Sequence, residues 1–428
     1  MSFSTVFVHS VRPAALAVAT SAIAVHAAAG GGSVRALPCG DANGTRWLVA
    51  VTPEGSVCAG NDASSVFRWT NVGGFEALGP SYYLATLGIS DDGDTVVGYR
   101  RDENLQRWDA YRWTAAGGMQ SLGAWASDRL GEFGYYASGV TGDGAVVVGA
   151  GHGHPSTSVL NSVAFRWTES TGMVALGPLN DPDLVLLGSW AAAVTPDGST
   201  IVGDCSGIVD GVFRERNAVR WDAAGVASAL ASQVTWMESF ATAVSADGSF
   251  IAGTATLPDT GYRAIRWDSE GNALDLGVPP GAQMSYSRGI SGDGSVVVGE
   301  CIMTNGSFSS AFVWTEATGI MYLTDFLLAN GIGSAGWDAF TSASAISRNG
   351  RVIVGLGQYQ GCPTSFIVDL GTECPADFDG SGAVTGVDLG TLLAQWGTQG
   401  TSDLDGSGEV DGYDLSRLLS AWGPCSGG

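Results

Sequence analysis

Short apolar runs rich in Val, Ile and aromatic residues, broken at regular intervals by Gly, Asp and Ser, fill most of this chain. Between residues 45 and 370 the runs lack helical spacing and read as β-strands. They return in a fixed order, seven times. ISDDGDTVVGY begins at Ile89, VTGDGAVVVGA at Val140, VTPDGSTIVGD at Val194, VSADGSFIAGT at Val244 and ISGDGSVVVGE at Ile290, with weaker copies VTPEGSVCAGN at Val51 and ISRNGRVIVGL at Ile346. A second piece follows each: VFRWT at Val66, AYRWT at Ala110, AFRWT at Ala164, AVRWD at Ala218, AIRWD at Ala264, AFVWT at Ala311 and SFIVD at Ser365. A Gly and an apolar run ending in Leu-Gly close most units, as from Met119 to Gly123.

Each unit therefore supplies four strands: a run leading into Ser/Thr-x-Asp-Gly, the Val/Ile run after that turn, the Arg-Trp piece and the Gly-to-Leu-Gly piece. The turn needs Gly because it supplies positive φ. The turn glycines lie 38 residues apart from Gly55 to Gly93 and 56 from Gly294 to Gly350, with intermediate spacings between. Four-stranded units of this length predict propeller blades. The last unit stops at Leu370 without its fourth strand, and 32–40 (GSVRALPCG) reads as an orphan fourth strand at the other end. The expected fold is mainly β: a seven-bladed propeller closed by an N-terminal strand, followed by a small α-helical module. Closure removes an exposed sheet edge, and it places Cys39 in one blade with Cys362, where a disulfide is possible.

Neighbouring Arg and Trp point to opposite faces of a blade. Trp69, Trp113, Trp167, Trp221, Trp267 and Trp314 read as core rungs. Arg68, Arg112, Arg166, Arg220 and Arg266 need counter-charges if buried. Where unit six has Val313, unit seven has Asn349 in place of the turn Asp, so the pairing expected is between blades, as Arg112 with Asp143.

Composition narrows function more than fold. The net charge of −23 argues against nucleic acid and anionic lipid as partners. No lysine is present, which removes Schiff-base chemistry and the P-loop. Residues 1–29 read as a secretory signal: Arg12, an apolar run from Pro13 to Val25, and small residues around Ala27. The domains expected are thus 1–29 signal, 30–371 propeller and 372–428 C-terminal module, with an extracellular or cell-surface protein that does not insert in the membrane. After signal removal His152 and His154 remain, both in one Gly-rich loop, and no Ser/His/Asp set is marked around them; they could bind a metal. Export favours disulfides, and Cys374 with Cys425, which bracket the module, are the expected pair. Cys39, Cys58, Cys205, Cys301 and Cys362 are left.

In an up-and-down blade the variable connections all emerge on one face, where binding is usually built. An aromatic opens the first strand of most units: Trp47, Tyr83, Tyr136, Trp190, Phe240, Tyr286 and Phe340. This ring is the candidate rim for glycan or peptide; packing beneath the loops is the alternative.

The C-terminal module carries the most specific chemistry. Twelve-residue loops begin at Asp377 (DFDGSGAVTGVD) and Asp403 (DLDGSGEVDGYD). Calcium takes oxygens from positions 1, 3, 5, 7, 9 and 12, with Gly at 6. The first loop offers Asp377, Asp379, Ser381, the Ala383 carbonyl, Thr385 and Asp388. The second offers Asp403, Asp405, Ser407, the Glu409 carbonyl, Asp411 and Asp414. Two calcium ions are expected, the second loop binding more tightly through its extra carboxylate. Leu389, Leu392, Leu393 and Trp396, and again Leu415, Leu418, Leu419 and Trp422, predict a helix after each loop.

With duplicated loop plus helix, Asp at position 12 and paired Leu, this module resembles a type I dockerin, and its bracketing cysteines and terminal Trp-Gly are similar to the dockerin-like anchors of planctomycete exported proteins. The resemblance implies a cohesin-like or other surface-protein partner, although positions 10 and 11 are Gly386-Val387 and Gly412-Tyr413 rather than hydroxyl pairs. The repeats resemble the HAF family of extracellular repeats, which implies no defined activity. The expected function is an exported, non-enzymatic binding or scaffold propeller tethered through a calcium-dependent tail. A polysaccharide-active propeller enzyme and a structural surface-layer component are the alternatives.

Overall fold

The computed structural model describes residues 25–27, 32–39, 45–62, 65–80, 84–102, 107–125, 134–152, 162–179, 184–209, 212–230, 238–258, 260–304, 309–371, 376–378, 383–405 and 407–424. The chain is a seven-bladed propeller. Blade 3 shows the plan: Tyr135–Val140, Val146–His152, Ser162–Thr168 and Gly172–Ala175 form one antiparallel sheet in chain order. Blade 7 takes Trp337–Ile346, Val352–Tyr359 and Cys362–Asp369 from the end of the repeats and Ser33–Ala36 from their start. Val34 pairs with Val368 and Ala36 with Phe366, so the ring closes as its incomplete ends require. Cys39 and Cys362 are disulfide-bonded, with Cα atoms 6.2 Å apart. Val25–Ala27 adds a fifth strand outside the closing one. It falls within the expected signal, so four strands of this blade lie outside that segment.

The cores lie between blades. Ala50, Ala59 and Val66 of blade 1 pack on Val96, Tyr111 and Trp113 of blade 2. Leu48, Phe67 and Trp69 of blade 1 pack on Val352, Val354 and Ile367 of blade 7. Five of the six Arg-Trp tryptophans are core rungs: Trp69, Trp113, Trp221, Trp267 and Trp314 are buried, while Trp167 is half-buried against the core between blades 2 and 3. A short helix α1 (Leu323–Ala329) follows blade 6 and buries Leu323 and Leu327. Among the described residues no helix is long and apolar enough to cross a membrane.

Two local rules make the repeat. Strand one carries a bulge in each of the seven sheets, and the Gly of the second strand accommodates it. A Cβ on Gly149 would sit 1.9 Å from the Tyr136 carbonyl oxygen, and one on Gly203 1.9 Å from that of Trp190. The second rule is the Ser/Thr-x-Asp-Gly turn. The Ser90 hydroxyl donates to Asp92 Oδ1 (2.6 Å) and accepts from the Thr95 amide (2.9 Å), while the Asp94 amide donates to Asp92 (2.9 Å). Thr141–Asp143, Thr195–Asp197, Ser245–Asp247 and Ser291–Asp293 repeat the arrangement.

These contacts hold the turn carboxyls below the usual range: Asp92 and Asp143 first through the Ser90 and Thr141 hydroxyls, Asp197 through the Ser199 amide, Asp247 through the Ser249 hydroxyl. A carboxyl whose pKa falls on folding stabilises the fold above its unfolded value and loses that contribution as the pH drops through the folded one. Stability measured by urea titration should therefore be level at neutral pH and fall below about pH 4. A fold that gains stability on acidification contradicts this.

The expected Arg-to-turn contact exists between blades, but with another partner. Arg68 donates to the Gly93 carbonyl (2.9 Å) and pairs with Asp94 (3.0 Å), and Arg266 donates to the Gly294 carbonyl (3.0 Å). The Arg112–Asp143 ion pair is not formed. Asp143 is already engaged by Thr141 and the Ala145 amide, which leaves the turn carbonyl as the cross-blade acceptor in the two gaps where a guanidinium reaches it.

The variable residue of that turn has a role the sequence hides. Successive turns are clasped by backbone hydrogen bonds: Asp91 to Gly142, Gly142 to Pro196, Ala246 to Gly292, Gly292 to Arg348, and Asn349 to Pro53. The belt lapses after Pro53 and Pro196, which have no N–H to donate. Across it, Arg348 of blade 7 forms a two-point ion pair with Asp91 of blade 2 (2.5 and 2.8 Å). Gly142 and Gly292 make room: a Cβ on either would strike Asp91 (2.4 Å) or Arg348 (2.2 Å). The pair lines a small axial cavity of about 130 Å³ together with Val51, Ile89, Val244, Ile290 and Ile346, which end the first strands of their blades.

The C-terminal module pairs Ala383–Val384 with Gly423–Pro424 and carries helices α2 (Gly386–Ala394) and α3 (Gly412–Ser420). Its core is Ala376, Val384, Leu392, Val410 and Leu418. The predicted stripes are only half buried. Leu393, Trp396, Leu419 and Trp422 are about half exposed, because both tryptophans lie beyond the helix ends and Leu393 and Leu419 point a fifth of a turn or more away from their buried neighbours.

Candidate functional site

The rim is set by the bulge in strand one. In five blades the residue whose carbonyl meets the second-strand Gly is aromatic: Trp47, Tyr136, Trp190, Phe240 and Tyr286. In blades 2 and 7 the equivalent residues are Ala85 and Ser342. The predicted Phe340 is therefore out of step by two residues. It is 4% exposed and stacks on Trp337 (4.9 Å) within the blade 7 core, displaced by extra bulges in that strand. Tyr83 lies outside the described residues. Trp47 is 48% exposed, and Tyr136, Trp190, Phe240 and Tyr286 are half-buried.

Blade 2 fills its place from the second and third strands instead. Tyr99 and Trp108 meet edge to face at 5.4 Å; Tyr99 meets Tyr136 at 4.9 Å, and Tyr136 meets Trp190 at 5.4 Å. One row of four half-buried rings thus crosses blades 2, 3 and 4. Burial, then the neighbouring Tyr99, pushes the Tyr136 phenol up, so it stays a neutral donor. Around the row, Arg101 lies over Trp108 (5.9 Å) and Arg100 pairs with buried Asp109 (3.3 Å). His152 is tied to the Gly134 carbonyl (3.1 Å), and His154 lies outside the described residues. A second pair, Tyr262 and Tyr286, packs at 5.1 Å in blades 5 and 6. Beside it, Glu238 accepts hydrogen bonds from the Tyr262 and Thr256 hydroxyls. Sequence reading missed Tyr99, Trp108 and Tyr262 because they lie in segments that read as variable loops. Blades 2 and 5 in fact extend these as hairpins, Thr95–Asp102 with Arg107–Thr114 and Ile251–Leu257 with Gly261–Trp267.

The second C-terminal loop gathers Asp403, Asp405 and Asp414, whose ligand oxygens lie within 4.8 Å of one another. Asp414 is buried and accepts from the Leu404 (2.7 Å), Asp405 (3.1 Å) and Asp411 (2.7 Å) amides. Asp411 caps α3 and Thr385 caps α2. The all-oxygen set fits a hard divalent cation. In the first loop Asp388 is buried and accepts from the Phe378 amide (2.7 Å), the counterpart of the Asp414 contact, and Asp377 is buried too. Asp379, Ser381, Cys374 and Cys425 lie outside the described residues. Cys58, Cys205 and Cys301 are free, and burial pushes each thiol up to about 12, which makes them unreactive.

No protein-family model and no curated protein matches this chain. Among solved structures it is similar to an oligogalacturonate lyase from Vibrio parahaemolyticus, with a TM-score of 0.53, 15% identity, and coverage of 81% of this chain and 96% of that one. An oligogalacturonate lyase in complex with manganese gives a TM-score of 0.52 at 14% identity, covering 81% and 96%. At these identities the likeness establishes the propeller fold.

Proposed function

We propose that this is an exported carbohydrate-binding propeller whose aromatic rim receives an oligosaccharide, carried by a tail that calcium folds. The observation that carries the reading is the row Trp108, Tyr99, Tyr136 and Trp190. Half-buried rings offer flat apolar faces for the C–H side of a sugar, at little ordering cost because packing already fixes them. Glu238 and the Tyr136 hydroxyl supply polar groups beside such faces. The Cys39–Cys362 disulfide supports export, since such bonds persist in oxidising compartments. The duplicated loops would hold two calcium ions through the oxygens named above, and the exposed helix residues Val387 and Tyr413 are available to a cohesin-like or other surface protein.

Glycan-array screening followed by calorimetry tests the rim. Tyr136→Ala and Trp190→Ala should each weaken binding tenfold or more, about 1.4 kcal/mol, without lowering the melting temperature of the domain by more than a few degrees. Unaltered affinity in both variants removes the rim as the site.

The second reading is a polysaccharide-cleaving enzyme, favoured by the likeness of shape to oligogalacturonate lyases over most of the chain. Ultraviolet detection of unsaturated ends, or reducing-sugar release, on incubation with acidic polysaccharides separates it from simple binding.

A further inference from the structure

The gaps between blades are built alike but not filled alike. Between blades 1 and 2, Arg68 lies over the Trp113 ring (5.4 Å) and bonds the facing turn. Between blades 5 and 6, Arg266 sits 4.6 Å from the rings of both Phe250 and Trp314 and bonds the facing turn likewise. The same place between blades 4 and 5 is an open cleft of about 470 Å³. The cause is local. Thr200 stands where blade 5 has Phe250, each following Asp-Gly-Ser, so blade 4 offers no ring at that position. Unlike Arg68 and Arg266, Arg220 stacks on no ring among the described residues. Among the described residues its one hydrogen bond is a long one, 3.4 Å, to the Ser269 carbonyl.

We propose that this cleft binds a sugar residue of a neutral glycan. Arg220 brings donors with spare capacity. Asp222 and Asp247 bring carboxylates held still by turn amides, Asp222 by Ala224 (3.0 Å) and Val226 (2.9 Å), Asp247 by Ser249 (2.9 Å). Ser228, Ser249 and Thr200 line the same space. A sugar hydroxyl both donates and accepts, so it satisfies this mixture; an anion would face both carboxylates, and a cation the guanidinium. The volume suits about one or two pyranose rings, and Val226, 61% exposed, offers an apolar edge. The cleft is made by the turns that join strands one to two and three to four, so it opens on the face opposite the aromatic rim. A disc that holds glycan on both faces can bridge two chains, or grip one twice and gain avidity. The inference shares only its ligand class with the rim reading.

Cello-, manno-, xylo- and laminari-oligosaccharides, screened on an array and titrated calorimetrically into the full chain, test the proposal. Thr200→Phe rebuilds the blade 5 arrangement and fills the cleft, so it should leave the melting temperature unchanged and abolish one class of sites. Arg220→Gln should weaken the same class tenfold or more without filling the space. Rim variants should leave that class intact. If both cleft variants bind every neutral hit as the parent does, or if no neutral glycan binds, the proposal is overturned. Loss in the rim variants alone leaves the rim reading standing without this one.

Discussion

A chain that begins at Gly40 is expected to lose the cooperative unfolding of the propeller and to aggregate. Ser33–Ala36 supplies the closing strand of blade 7, and Val34, Ala36 and Leu37 are buried almost completely. Val34 packs with Phe340, Phe366 and Val368, while Leu37 belongs to the cluster shared with blade 1. Removing such side chains costs about 2–5 kcal/mol for each large one. The disulfide closes nearly the whole repeat into one loop, its cysteines 323 positions apart, and adds about 6 kcal/mol on the chain-entropy account. Together these equal or exceed the total stability of a typical domain, about 5–15 kcal/mol. Loss also bares the edge of Cys362–Asp369, an invitation to intermolecular pairing. Cys362→Ser alone should lower the melting temperature measurably while leaving the native circular dichroism spectrum intact. A truncated chain that melts like the parent contradicts the closure.

The second large effect is calcium removal. Asp414 and Asp388 are buried carboxylates at the starts of α3 and α2, and in the second loop two further carboxylates converge on Asp414. Without a cation their mutual repulsion opposes the fold, and a core of five buried side chains is too small to offset it. Chelation should melt both helices and change the fluorescence of Trp396 and Trp422, leaving the propeller transition unmoved. Asp414→Ala removes a ligand and the acceptor for three amides at once. It should reduce affinity at the second loop by roughly a hundredfold or more, while the first loop still titrates. Helical content indifferent to chelator would remove the metal from the account.

The repeat was legible because each element sits where chemistry allows little choice. Turn glycines need positive φ, second-strand glycines face a carbonyl at contact distance, and the Arg-Trp tryptophans fill the space between blades. The orphan strand at 32–40 could be matched to the missing strand of blade 7 for the same reason. Departures from the repeat were not legible. The residue before the turn Asp looked free, yet Pro53 and Pro196 interrupt the clasp while Asp91 and Arg348 span it, contacts fixed by ring geometry over 257 residues of sequence. The aromatic ring was read from position in the unit. Bulges in blade 7 moved Phe340 into the core, and Tyr99 and Trp108 came to the rim from hairpins that pattern alone classed as loops. In the C-terminal module, spacing found the helices but not their ends: Trp396 and Trp422, expected on the helices, lie beyond them and are about half exposed.

Hydrogen exchange of the full chain, with and without the tightest glycan from the array, tests the central claim most directly. Bound ligand should slow exchange around Tyr99, Trp108, Tyr136 and Trp190, on the bulged ends of blades 2 to 4. Protection confined to the C-terminal module or to the outer strands, with that row unchanged, would contradict it.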